Sequence, residues 1–545
     1  MNNPNKNLLA MTVLSTMLLT ACGGGSSSSN NDTADNAIDN DNNDTPTQQQ
    51  PPVQPAPSCP AVGNLQPVYS ANNRCDIDGV LTENATLSSN YSWFLSGGLQ
   101  VGSQGADATL TVEAGTRVYG GGSDYLLVYP GSSLQAVGSR ANPIYFISDD
   151  TGVDGYGEWG GLYLRGSDAA QGNNRLNYVV VAEGGAEVQL DLNGQQVTYS
   201  DNIVLNGVDD NTVLSFVQSH NSARDAFHIV NSEARMSWIL ATGAKRDGIW
   251  YRDYNGLIKD LMVIHNRDVD GSSGRSGIYA SRTDSGTSNP RIVNATLVGR
   301  DNSSESAAGD DSAREFGILF ADNSNQVRMG NILIANFRNG CIELEPTADL
   351  SQIDTGVPGP NYLDGIHCAN EAGPNGTFIV NRTGATALPA ASVASNNSNG
   401  NGVVYYNGAG GELAIADTAF ASNAGGIQFT GELADRSSNF TASWYLNNIR
   451  GISNGLVASS SALNAFLDGD TNRDGSVDAG DTNSAFIVSD DGVDGFNQDV
   501  ATNTGGYDLT HIGAVRGGAV SNQQFDGWTV ATDAADGFVV MQPQP

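Results

Sequence analysis

The sequence predicts an all-β protein whose body is a parallel β-solenoid, a fold in which short strands coil repeatedly about one axis. From residue 58 onward, apolar residues come in short alternating runs separated by Asn, Gly, Ser and Asp, and long runs of helical period are nearly absent. The runs are also self-similar, as in DAFHIV (225–230), DGIWYR (247–252) and SGIYAS (276–281). Where no loop intervenes they begin about 22–25 residues apart, which is the length of one solenoid coil.

The chain begins with a predicted targeting segment. Lys6 is followed by the apolar run LLAMTVLSTMLLTA, which is too short to span a membrane comfortably and ends at Leu19-Thr20-Ala21-Cys22. This tetrapeptide resembles the lipobox of bacterial lipoproteins, and the resemblance implies cleavage after residue 21 and lipidation of the Cys22 thiol. Because Gly23 rather than Asp follows, it also implies anchoring in the outer membrane, with the body facing the cell exterior. The alternative is an ordinary signal peptide with a chance cysteine.

Four segments follow the signal peptide of residues 1–21. Residues 22–57 contain the cysteine and a stretch rich in Ser, Asn, Asp, Gln and Pro, which has too few apolar residues to fold and is expected to be a flexible tether. Residues 58–455 form the predicted solenoid, and 456–490 a short helix with a calcium loop. Residues 491–545 form a β-rich C-terminal cap, which a solenoid needs to prevent edge-to-edge association.

The charge balance excludes one class of partner. Asp and Glu number 59 against 25 Lys and Arg, so the formal net charge is -34 and the pI about 4.2. Nucleic acids are bound by clusters of Lys and Arg, and we therefore expect no nucleic-acid partner. An acidic surface also repels polyanionic glycans unless a cation bridges them.

Three stretches near the start of the solenoid carry a family resemblance. LTVEAGTRVYG (110–120), LLVYPGSSLQAVGSRANPIYFISDD (126–150) and GEWGGLYLRG (157–166) resemble the opening coils of bacterial right-handed parallel β-helix surface proteins of the Trp-Gly-Gly-Leu type. The resemblance implies a right-handed parallel β-helix at the cell surface and names no reaction. Related proteins tend to carry acidic pairs where this chain has Arg224-Asp225 and Arg246-Asp247, which puts a role for those acids in doubt.

The stretch DGDTNRDGSVDAGD (468–481) predicts a calcium site. Oxygen-bearing side chains recur at alternate positions around Gly475, which permits the sharp turn, and calcium requires six to eight oxygen ligands. The spacing resembles an EF-hand loop and, more closely, its dockerin variant, although only one such loop is found. The predicted Ca²⁺ ligands are Asp470, Asn472, Asp474, Ser476, Asp478 and Asp481. The alternative is an ion-free surface turn rich in Asp and Asn.

The cysteines are consistent with an exported protein. Of five cysteines, lipidation of Cys22 leaves an even remainder, which favours disulfides. Pairing by nearness in sequence gives Cys59–Cys75 and Cys341–Cys368, and free buried thiols are the alternative.

Some enzymes with parallel β-helices cleave acidic polysaccharides, so catalysis is an alternative function. A lyase needs a base, usually Arg or Lys, and a group that neutralises the uronate carboxylate. The densest basic region is AKRDGIWYRDYNGLIKD, and the candidate catalytic residues are Lys245, Arg246 and Arg252, with His228 one coil earlier. The competing structural interpretation places Ile249 and Trp250 in the core and the charged residues at turns, and the sequence favours it.

These observations together predict a calcium-stabilised outer-membrane lipoprotein. Its β-helix would be a binding or adhesion module for a glycan, the matrix or another surface protein. Two alternatives stay open. One is a cell-surface polysaccharide lyase or glycosidase of the pectate-lyase-like type, and the other is an accessory subunit of an outer-membrane transporter or secretion system.

Overall fold

The computed structural model describes residues 58–149, 155–167, 169–192, 194–265, 276–299 and 315–324, together with the later strands bounded below and a few adjoining residues. All regular elements in these residues are β-strands. Within the same part of the chain, no helix is long and apolar enough to cross a membrane. The predicted signal peptide, Cys22, the tether, and the short helix and calcium loop of residues 456–490 lie outside the described residues.

The strands are short, and they follow one another along the whole described chain. Up to residue 182 they are β1 (Val68–Tyr69), β2 (Arg74–Leu81), β3 (Ala85–Leu87), β4 (Ser92–Val101), β5 (Thr109–Val112), β6 (Arg117–Gly120), β7 (Tyr125–Val128), β8 (Ser133–Val137), β9 (Ile144–Ser148), β10 (Gly161–Arg165) and β11 (Arg175–Ala182). Up to residue 344 they are β12 (Val188–Leu192), β13 (Gln195–Tyr199), β14 (Ile203–Asn206), β15 (Val213–His220), β16 (Phe227–Ser232), β17 (Arg235–Thr242), β18 (Ile249–Tyr254), β19 (Leu257–Ile264), β20 (Ile278–Ser281), β21 (Arg291–Val298), β22 (Phe316–Phe320), β23 (Arg328–Ala335) and β24 (Gly340–Leu344). The remainder are β25 (Tyr362–Ala369), β26 (Ile379–Asn381), β27 (Val393–Ala394), β28 (Val404–Tyr406), β29 (Ile452–Ser453), β30 (His511–Ile512), β31 (Val530–Asp533) and β32 (Gly537–Val540).

The strands stack in parallel, coil upon coil, which confirms the predicted right-handed parallel β-helix. Stack I runs from the second half of β4 through β7, β10, β14, β16, β18, β20, β22 and β24 to β26. Stack II runs from β3 through β5 and β8 to β11, β15, β17, β19, β21, β23 and β25. Stack III begins with β2, the first half of β4, β6 and β9.

Stacks II and III are joined from β11 onward by single bent strands. The first half of β11 pairs with β8 and its second half with β9, and the bend lies at Tyr178. In β11, β15, β17, β19 and β21 the residue at the bend has positive φ, between 50° and 57°: these residues are Tyr178, Phe216, Trp238, Asp260 and Asn294. A left-handed residue turns the strand at a cost of about 1–2 kcal/mol for a residue other than Gly. Stacking of the three aromatic rings along this corner offsets that cost, with centroids of Tyr178 and Phe216 4.4 Å apart.

The core lies inside the coil, where alternate residues of each strand point. Along stack I, five inward residues in register are Leu162, Ile203, Phe227, Ile249 and Ile278, each 0% exposed. Burial of each such side chain contributes about 1.5–3 kcal/mol. Stacking of the coils therefore stabilises the solenoid, because every coil covers the apolar residues of the next.

The Trp-Gly-Gly-Leu stretch, residues 159–162, lies where two coils approach closely, and its glycines permit that approach. Trp159 is buried, and its indole N–H donates to the carbonyl of Ala182 over 2.7 Å. A Cβ on Gly161, which has a φ of +132°, would stand 2.5 Å from the carbonyl oxygen of Asp201, and a Cβ on Gly160 would stand 2.7 Å from that of Asp124. Both positions therefore require glycine.

A disulfide joins Cys59 to Cys75 at the start of the solenoid, one of the two pairs suggested by nearness in sequence. Cys341 is also disulfide-bonded. The side chain of Cys368 lies outside the described residues, so the second pairing stays a prediction.

Candidate functional site

The turns that lead into stack I place an aspartate at the same point in three successive coils. Asp201, Asp225 and Asp247 each lie two residues before the first inward residue of β14, β16 and β18. Each carboxylate accepts a hydrogen bond from the backbone of the next coil: Asp225 N donates to Asp201 Oδ1 (2.9 Å), Asp247 N to Asp225 Oδ1 (3.1 Å) and Ser276 N to Asp247 Oδ1 (2.7 Å). We call these three residues the aspartate ladder.

Two cationic or ionisable side chains lie against the ladder. The guanidinium of Arg246 donates from Nε to Asp225 Oδ1 over 2.7 Å and from Nη2 to Asp225 Oδ2, and its Nε lies 3.3 Å from Asp247 Oδ2. His228 Nδ1 lies 3.3 Å from Asp201 Oδ2 and 3.4 Å from Asp225 Oδ2. The aspartate side chains are at most 4% exposed, whereas His228 is 17% and Arg246 18% exposed. His228 and Arg246 therefore form the outer side of the cluster.

The surroundings push the pKa values of the carboxyls apart. Burial, and then the neighbouring Asp225, raise the pKa of Asp201 to about 6. Burial opposes ionisation of Asp225 too, but Arg246 and His228 outweigh it and lower the pKa of Asp225 to about 2. Burial and Asp225 raise the pKa of Asp247 well above its usual value. Asp225 is therefore the charged centre of the ladder, held by Arg246.

The outer face of stack I carries a column of stacked rings beside the ladder. His228, Trp250 and Tyr279 are in register on β16, β18 and β20, with ring centroids 4.3 Å and 5.8 Å apart. The guanidinium carbon of Arg252 lies 5.1 Å from the Trp250 ring, and Arg252 Nη2 pairs with Asp322 Oδ2 over 2.8 Å. We call these five residues the outer column.

Trp250 corrects the structural interpretation of the sequence that placed both Ile249 and Trp250 in the core. Successive residues of a strand point to opposite sides, so Ile249 and Tyr251 face the core and Trp250 faces outward. Trp250 is nevertheless only 9% exposed, because its ring faces are covered by the rings of the coils above and below.

The four residues proposed from sequence as catalytic candidates are brought partly together. His228 and Arg246 meet at Asp225, and Arg252 is linked to His228 through the Trp250 ring. Lys245 lies elsewhere on the turn, with Nζ 4.7 Å from the centroid of Tyr156.

Sequence reasoning missed the aspartate ladder and Tyr279. A signal was present, because Asp occurs in three consecutive coils at the same distance before the strand. Asp is common in this chain, however, and only the coil register shows that these three stack.

Asp201, Asp225 and His228 have ligand atoms within 4.8 Å of one another, as a metal site requires. The donor set fits calcium poorly, since that ion takes six to eight oxygens. Both oxygens of Asp225 already accept hydrogen bonds from Arg246, and Oδ1 also accepts one from the Asp247 backbone. The guanidinium thus supplies the positive charge that a metal ion would provide.

Comparison with known families agrees with this architecture. The family of pectate-lyase-like beta helix domains matches residues 79–357, slightly more than half of the 545 residues. The chain belongs to this family, and the match includes the aspartate ladder and the outer column. Neither a curated protein nor a solved structure matches the chain.

Proposed function

We propose that this protein is a surface-anchored lipoprotein whose β-helix binds a polysaccharide along the outer face of stack I. The observation that carries the proposal is the outer column, which places ring edges, a guanidinium and a carboxylate in one row on successive coils. Arg252 and Asp322 have side chains 37% and 44% exposed, so both can hydrogen-bond a ligand. The Tyr279 hydroxyl, which donates to Asp322 Oδ2 over 3.4 Å, adds a third polar group.

The repeat of the solenoid suits an extended ligand. Equivalent residues of neighbouring coils lie about 4.8 Å apart, so the column offers contacts at regular intervals along the axis. The net charge of the chain is -34, and on this face the guanidinium of Arg252 is paired with the Asp322 carboxylate over 2.8 Å. Anchoring through Cys22 and a tether of residues 23–57 would hold this face clear of the membrane, and calcium at 470–481 would stiffen the body.

Catalysis by a glycosidase or lyase is the second candidate, and one observation favours it. Asp201 and Asp225 are neighbouring carboxyls with pKa values driven in opposite directions, an arrangement that can assign the roles of acid and base. Their side chains are only 2% and 0% exposed, however, and each accepts a backbone hydrogen bond from the next coil. A stabilising role for these carboxylates accounts for their contacts, and binding without cleavage is therefore the preferred proposal.

The test uses the full chain with Cys22→Ala, so that no lipid is attached, in the presence of calcium. It is mixed with a panel of polysaccharides, and retention is measured by affinity electrophoresis. Chain shortening and the absorbance of unsaturated products are followed in the same tubes. Retention on one polysaccharide without cleavage is the expected result.

Two variants test whether the polysaccharide binds to the outer face of stack I. Arg252→Ala and Tyr279→Ala should each weaken retention at least tenfold. Tyr119→Ala is the matched control, because Tyr119 is also an outward ring in a stack, 4.5 Å from Phe94 on stack III. Equal losses in all three variants, or no retention at all, would overturn the proposal. Cleavage that Asp201→Asn abolishes would establish the enzyme instead.

A further inference from the structure

The outward side chains of stack I are accessible over only part of its length. From β10 to β22 the outward row is formed, in register, by Tyr163, Val204, His228, Trp250, Tyr279 and Leu319. Tyr163 and Val204 are 0% exposed, and Leu319 is 1% exposed. His228 and Tyr279 are partly exposed, and the ring of Trp250 lies between their rings. We call His228, Trp250 and Tyr279 the window.

The hairpin formed by β12 and β13 covers the β10 end of this row. Leu190 and Tyr199 of the hairpin pack onto it. The rings of Tyr199 and Tyr163 are 4.8 Å apart, and Val204 belongs to the same apolar cluster. Because Val204 pairs in register with His228 of the next coil, the hairpin lies directly beside the window, on the surface along which a ligand would continue.

The hairpin is an addition to the repeat. The turn from stack III into stack I spans 6 residues at 220–225, whereas the equivalent turn one coil earlier spans 20 residues at 182–201. The 14 additional residues, 186–199, contain the whole hairpin. The two ends of the insertion lie together, since a Cβ on Gly185 would stand 2.8 Å from the carbonyl oxygen of Ser200. The core of the coil therefore does not depend on the insertion.

The opposite end of the window is covered as well. Leu319 pairs in register with Tyr279 and lies outside the main core cluster. It is buried in a separate outer cluster with Phe316 and Ala321, against which Tyr279 packs. The window thus extends over three coils, or about 10 Å at a coil spacing of about 4.8 Å.

We propose that the window binds one end of a polysaccharide chain, and that the hairpin is the barrier at which the terminal sugar stops. The inference rests on the polysaccharide binding proposed above and specifies which part of the polymer binds. A polymer lying along the axis would need the outward row uncovered on many successive coils, whereas a chain end needs only the window. The rest of the chain would leave sideways over Arg252 and Asp322, whose side chains are 37% and 44% exposed.

A polar pair lies where the terminal sugar would meet the hairpin. Asn206 shares the second outward row of stack I with Val230 and Arg252. Its Nδ2 donates to the hydroxyl of Tyr199 on the hairpin over 3.1 Å. A terminal sugar ring has a free hydroxyl at the position where an internal ring is linked to its neighbour. An amide and a phenol both form hydrogen bonds with such a hydroxyl, so this pair suits a chain end.

The test compares samples of one polysaccharide that have equal mass but different numbers of chain ends. It uses the full chain with Cys22→Ala and the polysaccharide retained in the panel above, shortened by mild acid hydrolysis to fragments much longer than the window. Fragments with ten times as many ends should displace the labelled parent polymer at about one tenth of the mass. Equal potency at equal mass would show binding to the interior of the polymer, which overturns this inference and leaves the proposed function intact. Retention of no polysaccharide would overturn both.

Deletion of residues 186–199 tests the hairpin itself. Joining Gly185 to Ser200 gives the turn the length found at 220–225, and it uncovers Tyr163 in line with the window. The displacing potency of this variant should follow the mass of the polymer and not the number of its ends, because a chain can then continue along the row. A dependence on chain ends that survives the deletion would overturn the role of the hairpin. The measurement on the undeleted chain decides the inference even where the deletion variant does not fold.

The matched control keeps the hairpin and changes its outer face. Gln189 and Thr198 are paired opposite each other on the hairpin, and both side chains are exposed. Gln189→Ala/Thr198→Ala should therefore retain the parent's dependence on chain ends. Loss of that dependence in the control would contradict a barrier formed by the hairpin as a whole.

Discussion

Replacement of Arg246 by Met removes the guanidinium that is hydrogen-bonded to Asp225 of the aspartate ladder. The substitution keeps an apolar stem of similar length and deletes both hydrogen bonds to Asp225, together with the 3.3 Å ion pair to Asp247. Asp225 would then be a buried carboxylate whose neighbours on the ladder are also acids. We expect a large loss of stability at neutral pH.

The magnitude follows from burial. The Asp225 side chain is 0% exposed, and removal of one partner from a buried pair typically costs about 3–5 kcal/mol. The pKa gives a consistent figure: return of the Asp225 pKa from about 2 to an ordinary value is a change of about two units, or roughly 3 kcal/mol. Arg252→Met is the matched control, since the pair of Arg252 with Asp322 is 37% and 44% exposed and should contribute less than about 1 kcal/mol.

The assay is urea unfolding followed by circular dichroism at pH 7.5 and at pH 2.5. The lowered pKa of Asp225 stabilises the fold at pH values above about 3.9, the pKa of this group in the unfolded chain. This stabilisation is lost as the pH falls toward about 2, the pKa of Asp225 in the folded protein. The loss caused by Arg246→Met should therefore be largest at pH 7.5 and much smaller at pH 2.5. A second substitution, Asp225→Asn, should restore much of it, because the unpaired charge is then gone. A loss no greater than that of Arg252→Met, or one independent of pH, would refute the reasoning.

Four further predictions concern other parts of the molecule. Asp201→Asn should raise the urea midpoint at pH 8 relative to the parent and not at pH 4. The reason is that burial raises the pKa of Asp201 to about 6, so ionisation of this carboxyl in the folded state costs stability above that pH and nothing below about 4. No gain at pH 8 would contradict this. Reduction of Cys59–Cys75, which closes a loop of 16 residues, should cost about 3 kcal/mol and accelerate hydrogen exchange in β2, and unchanged exchange would contradict it. Cys22→Ala should move the protein from the membrane fraction to the soluble fraction, and continued sedimentation with membranes would refute lipid anchoring. Calcium chelation should lower the melting temperature of the parent but not that of Asp474→Ala; absence of any shift in the parent would favour an ion-free turn.

The main architecture was predictable because it depends on local pattern. Alternating strands such as 227–232 and 249–254 have two faces, and their repetition at the length of one coil leaves stacking as the way to bury the inner face. The Trp-Gly-Gly-Leu stretch carried further information, since Gly160 and Gly161 mark a close approach of two coils. The sequence also indicated the basic and aromatic region around Arg246 and Arg252.

The candidate site was only partly predictable, because it depends on which residues of different coils share a position. Asp201, Asp225 and Asp247 are separated by turns of unequal content, and the hairpin β12–β13 intervenes before Asp201. Their stacking becomes visible only once the register of β14, β16 and β18 is known. The outward direction of Trp250 is another consequence of register, since both faces of a short apolar run look alike in sequence.

Composition and periodicity, read from the sequence alone, determined that the chain is an acidic, β-rich solenoid. Tertiary structure alone decided that Asp225 and Asp247 share one arginine. It alone also decided that Trp528 and Val530 pack against Phe216 and Gln218, more than three hundred positions earlier in the chain. The physical reason is the range of the interactions. Strand alternation and turn formation act between residues close in sequence, whereas charge pairing and docking act between residues that only the coiling of the chain brings together.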